Sequence, residues 1–222
     1  MKRLRLNPRA IIFDMDGVIV DSMPYHFLAW YEALRPLGVR VTCFDVYSRE
    51  GERWEKSLED FLLRSGIKPT KRLLKKIFTF RQKIFRRYFK RTIFQDAEEL
   101  LRCLKGKGYM LALVTGTPSV EIKNILPERI RRLFDCIVAG DNVKRGKPHP
   151  EPYLKALASL GLTSKQCVVV ENAPLGIESA KKAGIFCFAL ATSLPGEYLK
   201  AADVVVERLE EIIPLIDTRC KA

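Results

Sequence analysis

Two carboxylates stand two residues apart in Phe13-Asp14-Met15-Asp16-Gly17, straight after a short apolar run from Ala10 to Phe13. If the chain stays extended there, Asp14 and Asp16 point the same way. Close carboxylates repel, which raises one pKa unless a cation lies between them. Such a pair suits a hard cation such as Mg2+, which prefers oxygen ligands and works beside substrate phosphates. It also suits nucleophilic attack to form an aspartyl-phosphate and proton transfer to a leaving oxygen or from water. Further polar groups follow apolar runs downstream. Thr115-Gly116 follows Met110 to Val114, Glu171-Asn172 follows Cys167 to Val170, and Lys147 lies in the loop entering a helix at Pro150. A threonine can donate to a phosphoryl oxygen, and a lysine can offset charge gathered in a transition state. Asp14, Glu171 or Asn172 and a backbone carbonyl would supply oxygen ligands to the cation. Each residue alone has an ordinary reading: Asp in a turn, Thr at a helix cap, Lys on the surface. Their recurrence at successive strand ends points instead to one site.

The elements that must position these groups follow from periodicity. Ala10 to Phe13 reads as a buried strand. From Pro24 to about Arg91 the pattern is helical, with Phe27, Trp30, Tyr31 and Leu34 on one face, a break at Gly38 and Val-Thr-Cys-Phe, and a second helix over about 52–63. Thereafter strands and helices alternate. Strands are predicted at 110–114, 136–139, 167–170, 185–189 and 204–206, and helices at 97–104, 118–126, 150–160, 174–183 and 209–216. That alternation predicts right-handed crossovers and a mostly parallel sheet. The fold class is therefore α/β, a Rossmann-like core over 1–20 and 92–222 with a helical cap domain inserted over 21–91. The 222 residues correspond to roughly 1.5 domains. In open parallel sheets, ligands bind outside the carboxyl ends of the strands, where all these polar groups lie.

Composition bounds the remaining choices. Hydrophobic residues are 47% and charged residues 29%, which excludes a disordered or collagenous chain. No apolar run approaches the roughly 20 residues that span a bilayer, so no membrane association is expected. The basic N-terminus meets Asp14 and Asp16 before any secretory core, so no signal peptide is expected. The six cysteines form no CxxC pair, and Cys136, Cys167, Cys187 and Cys103 are expected in apolar surroundings. Reduced thiols and a cytoplasmic location follow as expectations.

The net charge of +13 favours acidic substrates or partners at long range. The excess is local: residues 64–91 carry twelve Lys and Arg and no acid. Leu73, Leu74, Ile77, Phe80, Ile84, Phe85 and Tyr88 recur there at helical spacing, so the stretch reads as a basic amphipathic helix with one buried face. A solvated basic face is the first expectation and steering of phosphorylated substrates the second. Nucleic acid is the disfavoured partner, because no zinc-finger or RNA-binding motif accompanies the charge.

Four segments, taken in order, resemble the haloacid dehalogenase-like hydrolase superfamily, in its phosphatase and β-phosphoglucomutase-like branch with a helical cap. They are Phe13-Asp-Met-Asp-Gly-Val-Ile-Val-Asp-Ser22, Leu113-Val-Thr-Gly-Thr117, Gly146-Lys-Pro-His-Pro-Glu-Pro-Tyr153 and Val170-Glu-Asn-Ala-Pro-Leu-Gly-Ile-Glu-Ser-Ala180. The resemblance implies Asp14 as nucleophile and Asp16 as general acid/base, which also gives its backbone carbonyl to Mg2+. It implies phosphoryl binding by Thr115 and Gly116, stabilisation by Lys147, and a metal served by Glu171 and position 172. One departure is that the branch usually has Asp where Asn172 stands, so the site loses a negative charge and should bind Mg2+ more weakly. Tyr25-His26-Phe27-x-x-Trp30 matches the start of the cap in mutase-like members, placing His26 near the entrance; a local hydrogen bond on a helix face is the plain alternative. Glu50-Gly51-Glu52-Arg53 resembles the cap loop that touches substrate. There Arg53 either meets a carboxylate or second phosphate or lies on a helix surface, and Thr117 either faces substrate or caps a helix. The implied activity is Mg2+-dependent hydrolysis of a small phosphorylated metabolite, a sugar or polyol phosphate. A β-phosphoglucomutase-like transfer is the alternative, and dehalogenation and phosphonate hydrolysis rank below both. A non-enzymatic nucleic-acid or partner-binding role for the basic cap is the reading from another class. Whether the protein is a monomer or a homodimer is left open.

Overall fold

The computed structural model describes residues 6–216. Six strands form one sheet: β1 (Ala10–Phe13), β2 (Met110–Val114), β3 (Cys136–Val138), β4 (Cys167–Glu171), β5 (Phe186–Leu190) and β6 (Val204–Val206). All pair in parallel, in the order β3-β2-β1-β4-β5-β6. The register sets Ile11 beside Leu111 on one side and Val168 on the other. Alternate residues face opposite layers, as strand periodicity requires. Ile11, Phe13, Leu111, Leu113, Val168 and Val170 enter one core, while Ala10, Ile12, Ala112, Val114 and Val169 enter the second. Both faces being covered explains why these strands read as unbroken apolar runs.

Ten α-helices complete the described residues. Between β1 and the second strand come α1 (Met23–Leu34), α2 (Cys43–Tyr47), α3 (Trp54–Arg64), α4 (Lys71–Tyr88) and α5 (Ala97–Gly106). They are followed by α6 (Ser119–Ile125), α7 (Glu128–Arg131), α8 (Glu151–Leu160), α9 (Pro174–Lys182) and α10 (Ile213–Ile216). Helix α5 covers one face of the sheet, and α8 and α9 cover the other. Helices α1 to α4 form the inserted cap, whose core of Trp30, Leu58, Ile77 and Phe85 runs into the first sheet layer.

Three expectations change. The Val-Thr-Cys-Phe break begins a helix: Thr42 Oγ1 accepts from Asp45 N at 3.1 Å, and Thr42 N donates to Asp45 Oδ2 at 2.8 Å, a reciprocal cap that starts α2. The last helix is split into a 3-10 turn, Leu209–Ile212, and α10, where Pro214 cannot donate an intrahelical bond. Cys103 is exposed, because the buried stripe of α5 is Ala97, Leu100, Leu101 and Leu104, and position 103 falls outside that spacing. Cys167 and Cys187 are buried, Cys136 half-buried, and these four cysteines and Cys43 are free thiols; Cys220 lies outside the described residues. Among the described residues no helix is long and apolar enough to cross a membrane.

Candidate functional site

The order of the sheet reverses at β1, whose two neighbours belong to opposite directions of chain winding. Ligands in such sheets bind where that reversal opens a crevice at the carboxyl ends. Asp14 leaves β1 there. Its N–H donates to Val170 O at 3.0 Å, which carries the strand pairing one residue further. The chain then turns at Gly17, whose φ of 85° favours glycine. A Cβ at Gly17 would also lie 1.9 Å from Asn172 Nδ2, so the turn holds the Asp14 loop directly against the end of β4.

Two linked clusters occupy the crevice. In the first, Lys147 Nζ donates to Asp14 Oδ1 at 2.6 Å and to Glu171 Oε1 at 2.5 Å, with all three side chains at least 97% buried. Burial alone would lower the Lys147 pKa, but the two carboxylates outweigh it and hold the ammonium well above its ordinary value. Burial raises Asp14 well above the usual carboxylate range, Lys147 opposes this, and Glu171, Glu50 and Asp16 add to it. Glu171 is the most constrained member. Tyr153 Oη donates to Oε1 at 2.8 Å, and Asn172 N and Ala173 N donate to Oε2 at 2.9 and 3.3 Å. Its carboxylate fills the space beside Gly176, where a Cβ would lie 1.9 Å from Oε1.

In the second cluster, Asp16 Oδ1 accepts from Ser22 Oγ at 2.5 Å and faces His26 Nε2 at 3.1 Å. Asp16 Oδ2 accepts from Thr117 Oγ1 at 3.1 Å and more distantly from Thr115 Oγ1 at 3.4 Å. Burial pushes the Asp16 carboxyl up, but bonds from His26, Ser22 and Thr117 outweigh it and hold the group below its ordinary value. His26 is fixed from behind by Arg81, whose Nη2 donates to Nδ1. A guanidinium has no acceptor, so Nδ1 accepts and the ring proton sits on Nε2, facing Asp16. The ring stacks on Phe85 with centroids 4.6 Å apart. His26 is thus a buried residue of α1 whose Nε2 faces the second carboxylate. Thr117 does not cap a helix: α6 begins at Ser119 after Pro118 without any side-chain cap.

Over both clusters closes the cap loop 49–53. Gly51 adopts φ 81°, and a Cβ there would lie 2.4 Å from Lys147 Cδ. Gly116 is also close-packed, with Gly51 Cα 3.0 Å from where its own Cβ would be. Arg53, exposed at the start of α3, also reaches the core, donating from Nη2 to Val143 O at 2.7 Å. The half-open cavity between cap and core has a volume of about 290 Å3, and its lining includes Trp30, Arg49, Arg53, Arg81, Gly116 and Thr117.

The expected metal can be tested against the donors present. Among the described residues, no three His, Cys, Asp or Glu side chains gather as a metal centre. Two buried oxygens have no hydrogen-bond partner, Asp14 Oδ2 and Asn172 Oδ1. Such orphaned acceptors cost free energy unless something binds them, and an oxygen-only set fits a hard cation. Glu171 differs, because both of its oxygens already accept two hydrogen bonds each.

Four residues at the site carry no assignment from the sequence reading. Ser22 and Tyr153 close the first and third quoted segments. Arg81 stands within the basic run, yet its place four residues after Ile77 and four before Phe85 sets it on the buried stripe. Ser193, which accepts from Asn172 Nδ2 at 2.8 Å, had no signal.

A family model, haloacid dehalogenase-like hydrolase, matches residues 11–190. This chain belongs to that family. It falls within the phosphatase and β-phosphoglucomutase branch with a helical cap. A phosphorylated carbohydrates phosphatase of Thermotoga maritima is 33% identical over 220 residues, covering 93% of this chain and 97% of its own. The β-phosphoglucomutase of Bacillus subtilis is 28% identical over 216 residues, covering 92% and 91%. The solved β-phosphoglucomutase of Clostridium difficile superposes with a TM-score of 0.81 at 25% identity, covering 94% of this chain and 96% of its own. The protein is an enzyme of this hydrolase family, acting in phosphatase or phosphomutase chemistry on a small phosphorylated substrate.

Proposed function

We propose that the protein is a Mg2+-dependent phosphatase that hydrolyses a small sugar or polyol phosphate through an aspartyl-phosphate on Asp14. The observation that carries this reading is the division of labour between two carboxylates at one crevice. Asp14 is held at Oδ1 by Lys147 with Oδ2 open, while Asp16 is surrounded by hydroxyls and an imidazole. Asp14 attacks phosphorus in line with the departing alcohol, and Asp16, which takes up a proton as the doubly charged phosphate enters the crevice, gives that proton to the alcohol. Asp16, now ionised, then takes a proton from water as the water oxygen attacks the acyl phosphate. Inorganic phosphate leaves, and Asp14 is regenerated as a carboxylate. Lys147 offsets charge on the phosphoryl oxygens, and Thr115 and Gly116 receive those oxygens at the end of β2. The cap loop keeps bulk water out during the first step. Asp14 Oδ2, Asn172 Oδ1 and the Asp16 backbone carbonyl would hold Mg2+, with Glu171 orienting the shell around them. Bound there, the ion supplies positive charge beside the phosphoryl group.

A mutase would present a second sugar hydroxyl to the aspartyl-phosphate in place of water. The cavity between cap and core and the likeness to the solved mutase keep it as the second reading. The test is phosphate release from a panel of phosphorylated metabolites, with Mg2+ or EDTA, using wild type and Asp14→Asn. The panel includes β-glucose 1-phosphate, with glucose 6-phosphate followed in parallel. Mg2+-dependent release lost in Asp14→Asn is the expected result. Asp14-dependent glucose 6-phosphate without phosphate release would replace it with the mutase.

A further inference from the structure

The outer face of α4 is not used by the site. Its inner face turns Leu74, Ile77, Arg81, Ile84 and Phe85 into the cap. The exposed face carries Arg72, Lys75, Lys76, Lys83 and Arg87, and none of these has a carboxylate partner among the described residues. Several cations elsewhere on the surface are paired, Arg102 with Glu98, Lys105 with Asp135 and Lys181 with Asp203. Even on α4, the one exposed arginine near the cavity, Arg86, is paired with Glu121. Uncompensated cations on one helix repel each other, so this face is less stable than a charge-balanced one would be.

Shape adds a second observation. Arg72, Lys75, Lys76, Thr79, Phe80 and Lys83 lie together on one open patch of the helix surface. Phe80 lies among these cations with 47% of its surface exposed, and Tyr88 at the helix end with 46%. Along a helix, residues four apart are separated by about 6 Å, as are Arg72 from Lys76 and Lys83 from Arg87. Neighbouring phosphates on an extended strand are spaced by a similar distance. Basic groups in a row with an exposed ring, Phe80, between them suit a strand that offers phosphates and bases alternately. A membrane surface fits less well, because the apolar stripe that would enter lipid is already buried in the cap.

We propose that the outer face of α4 is a sequence-independent docking surface for single-stranded nucleic acid, separate from the catalytic crevice. The cations contact phosphates, and Phe80 stacks on a base. No group on this face is arranged to read base edges, so affinity follows charge and length rather than sequence.

The experiment is fluorescence anisotropy of the full chain with a labelled 20-nucleotide poly(U), titrated at several salt concentrations. Wild type, Lys75→Glu/Lys76→Glu/Lys83→Glu and Phe80→Ala are compared, and vesicles containing phosphatidylserine are run beside them. Four phosphate contacts predict that affinity falls about 50-fold between 50 and 200 mM salt. The triple variant is expected to lose at least about 20-fold at low salt and most of that salt dependence. Phe80→Ala is expected to lose about tenfold with the salt slope kept. Circular dichroism and phosphate release report whether the variants stay folded, since none of these residues touches the site. Absence of binding at 50 mM salt, unchanged binding by a folded triple variant, or binding to the vesicles alone would each overturn the proposal.

Discussion

Gly51 of the cap rests on Lys147 of the core so closely that a single added carbon would fall 2.4 Å from Lys147 Cδ. The lysine is itself pinned between Asp14 and Glu171, so it has little freedom to yield. The close approach therefore couples cap position to the geometry of the phosphoryl-binding ammonium. Gly51→Ala adds the clash and places a Cβ residue at φ 81°, a strain of about 1 kcal/mol by itself. The expected outcome is a loss of about 100-fold in kcat/KM, from misplaced reacting groups, with a melting temperature lowered by only a few degrees. Steady-state kinetics beside thermal unfolding check this. Equal activity in Gly51→Ala would show that the cap does not seat on Lys147 during turnover.

Arg81 reaches the second carboxylate through one intermediary. It is 9% exposed, its guanidinium lies over Trp30 and Phe85 at 5.3 and 5.2 Å, and it donates to His26 Nδ1. Arg81→Met removes the donor that keeps the imidazole proton on Nε2, so His26 no longer presents a fixed N–H to Asp16. The carboxyl then loses a bond that favours its ionised form, and its pKa rises toward the ordinary value. We expect kcat to fall about 10- to 100-fold, and the acid limb of the kcat profile to move to higher pH. Arg81→Lys should recover part of both effects. A uniform drop in kcat with an unmoved acid limb would assign Arg81 a packing role only.

Much of this was legible in the sequence. Strands buried on both faces are short apolar runs, and the polar residue ending each run marks the crevice, so Asp14, Thr115 and Glu171 stood out by position alone. Ranges moved by a residue or two where local caps decide them, as at Trp54, where α3 starts after Arg53 rather than at Glu52. What stayed hidden depends on direction and reach. The basic run disguised Arg81, because charge suggested solvent while its spacing placed it inward. Ser193 is 21 residues from Asn172 and meets it only because β4 and β5 are adjacent. The contact of Gly51 with Lys147 joins two loops that no periodicity relates.

Asn172 is fully buried, with Nδ2 bonded to Ser193 and Oδ1 unpartnered. Its amide fits where a carboxylate would have to share the crevice with Asp14, Asp16 and Glu171 against one buried lysine. Asn172→Asp adds a negative charge that only a cation can offset at this depth. Two opposite effects are expected. Without metal the variant should melt several degrees below wild type, from a destabilisation of about 1–3 kcal/mol. With metal its calorimetric Kd for Mg2+ should tighten by about tenfold, one pKa-sized step of charge interaction. An unchanged Kd would remove position 172 from the metal-binding set.

Asp135 links the edge of the sheet to α5 and gives a pH test away from the site. Its oxygens accept from Lys105 Nζ at 2.7 Å each, and Oδ2 also accepts from Leu111 N at 2.8 Å. Burial would raise its pKa slightly, but the lysine and the amide outweigh it and hold the carboxyl below its ordinary value. A carboxyl with a depressed folded pKa stabilises fully above its unfolded value and loses that contribution as pH falls through the folded one. The unfolded value is about 3.9. About a third of the pair is exposed to solvent, and this screening limits the effect to about 1 kcal/mol. Asp135→Asn should therefore lower urea stability by that amount at pH 7, by nearly the same at pH 5, and by progressively less below pH 4. A gap between wild type and variant that widened on acidification would contradict the assigned direction, because protonation erases the difference between a carboxyl and an amide at this position.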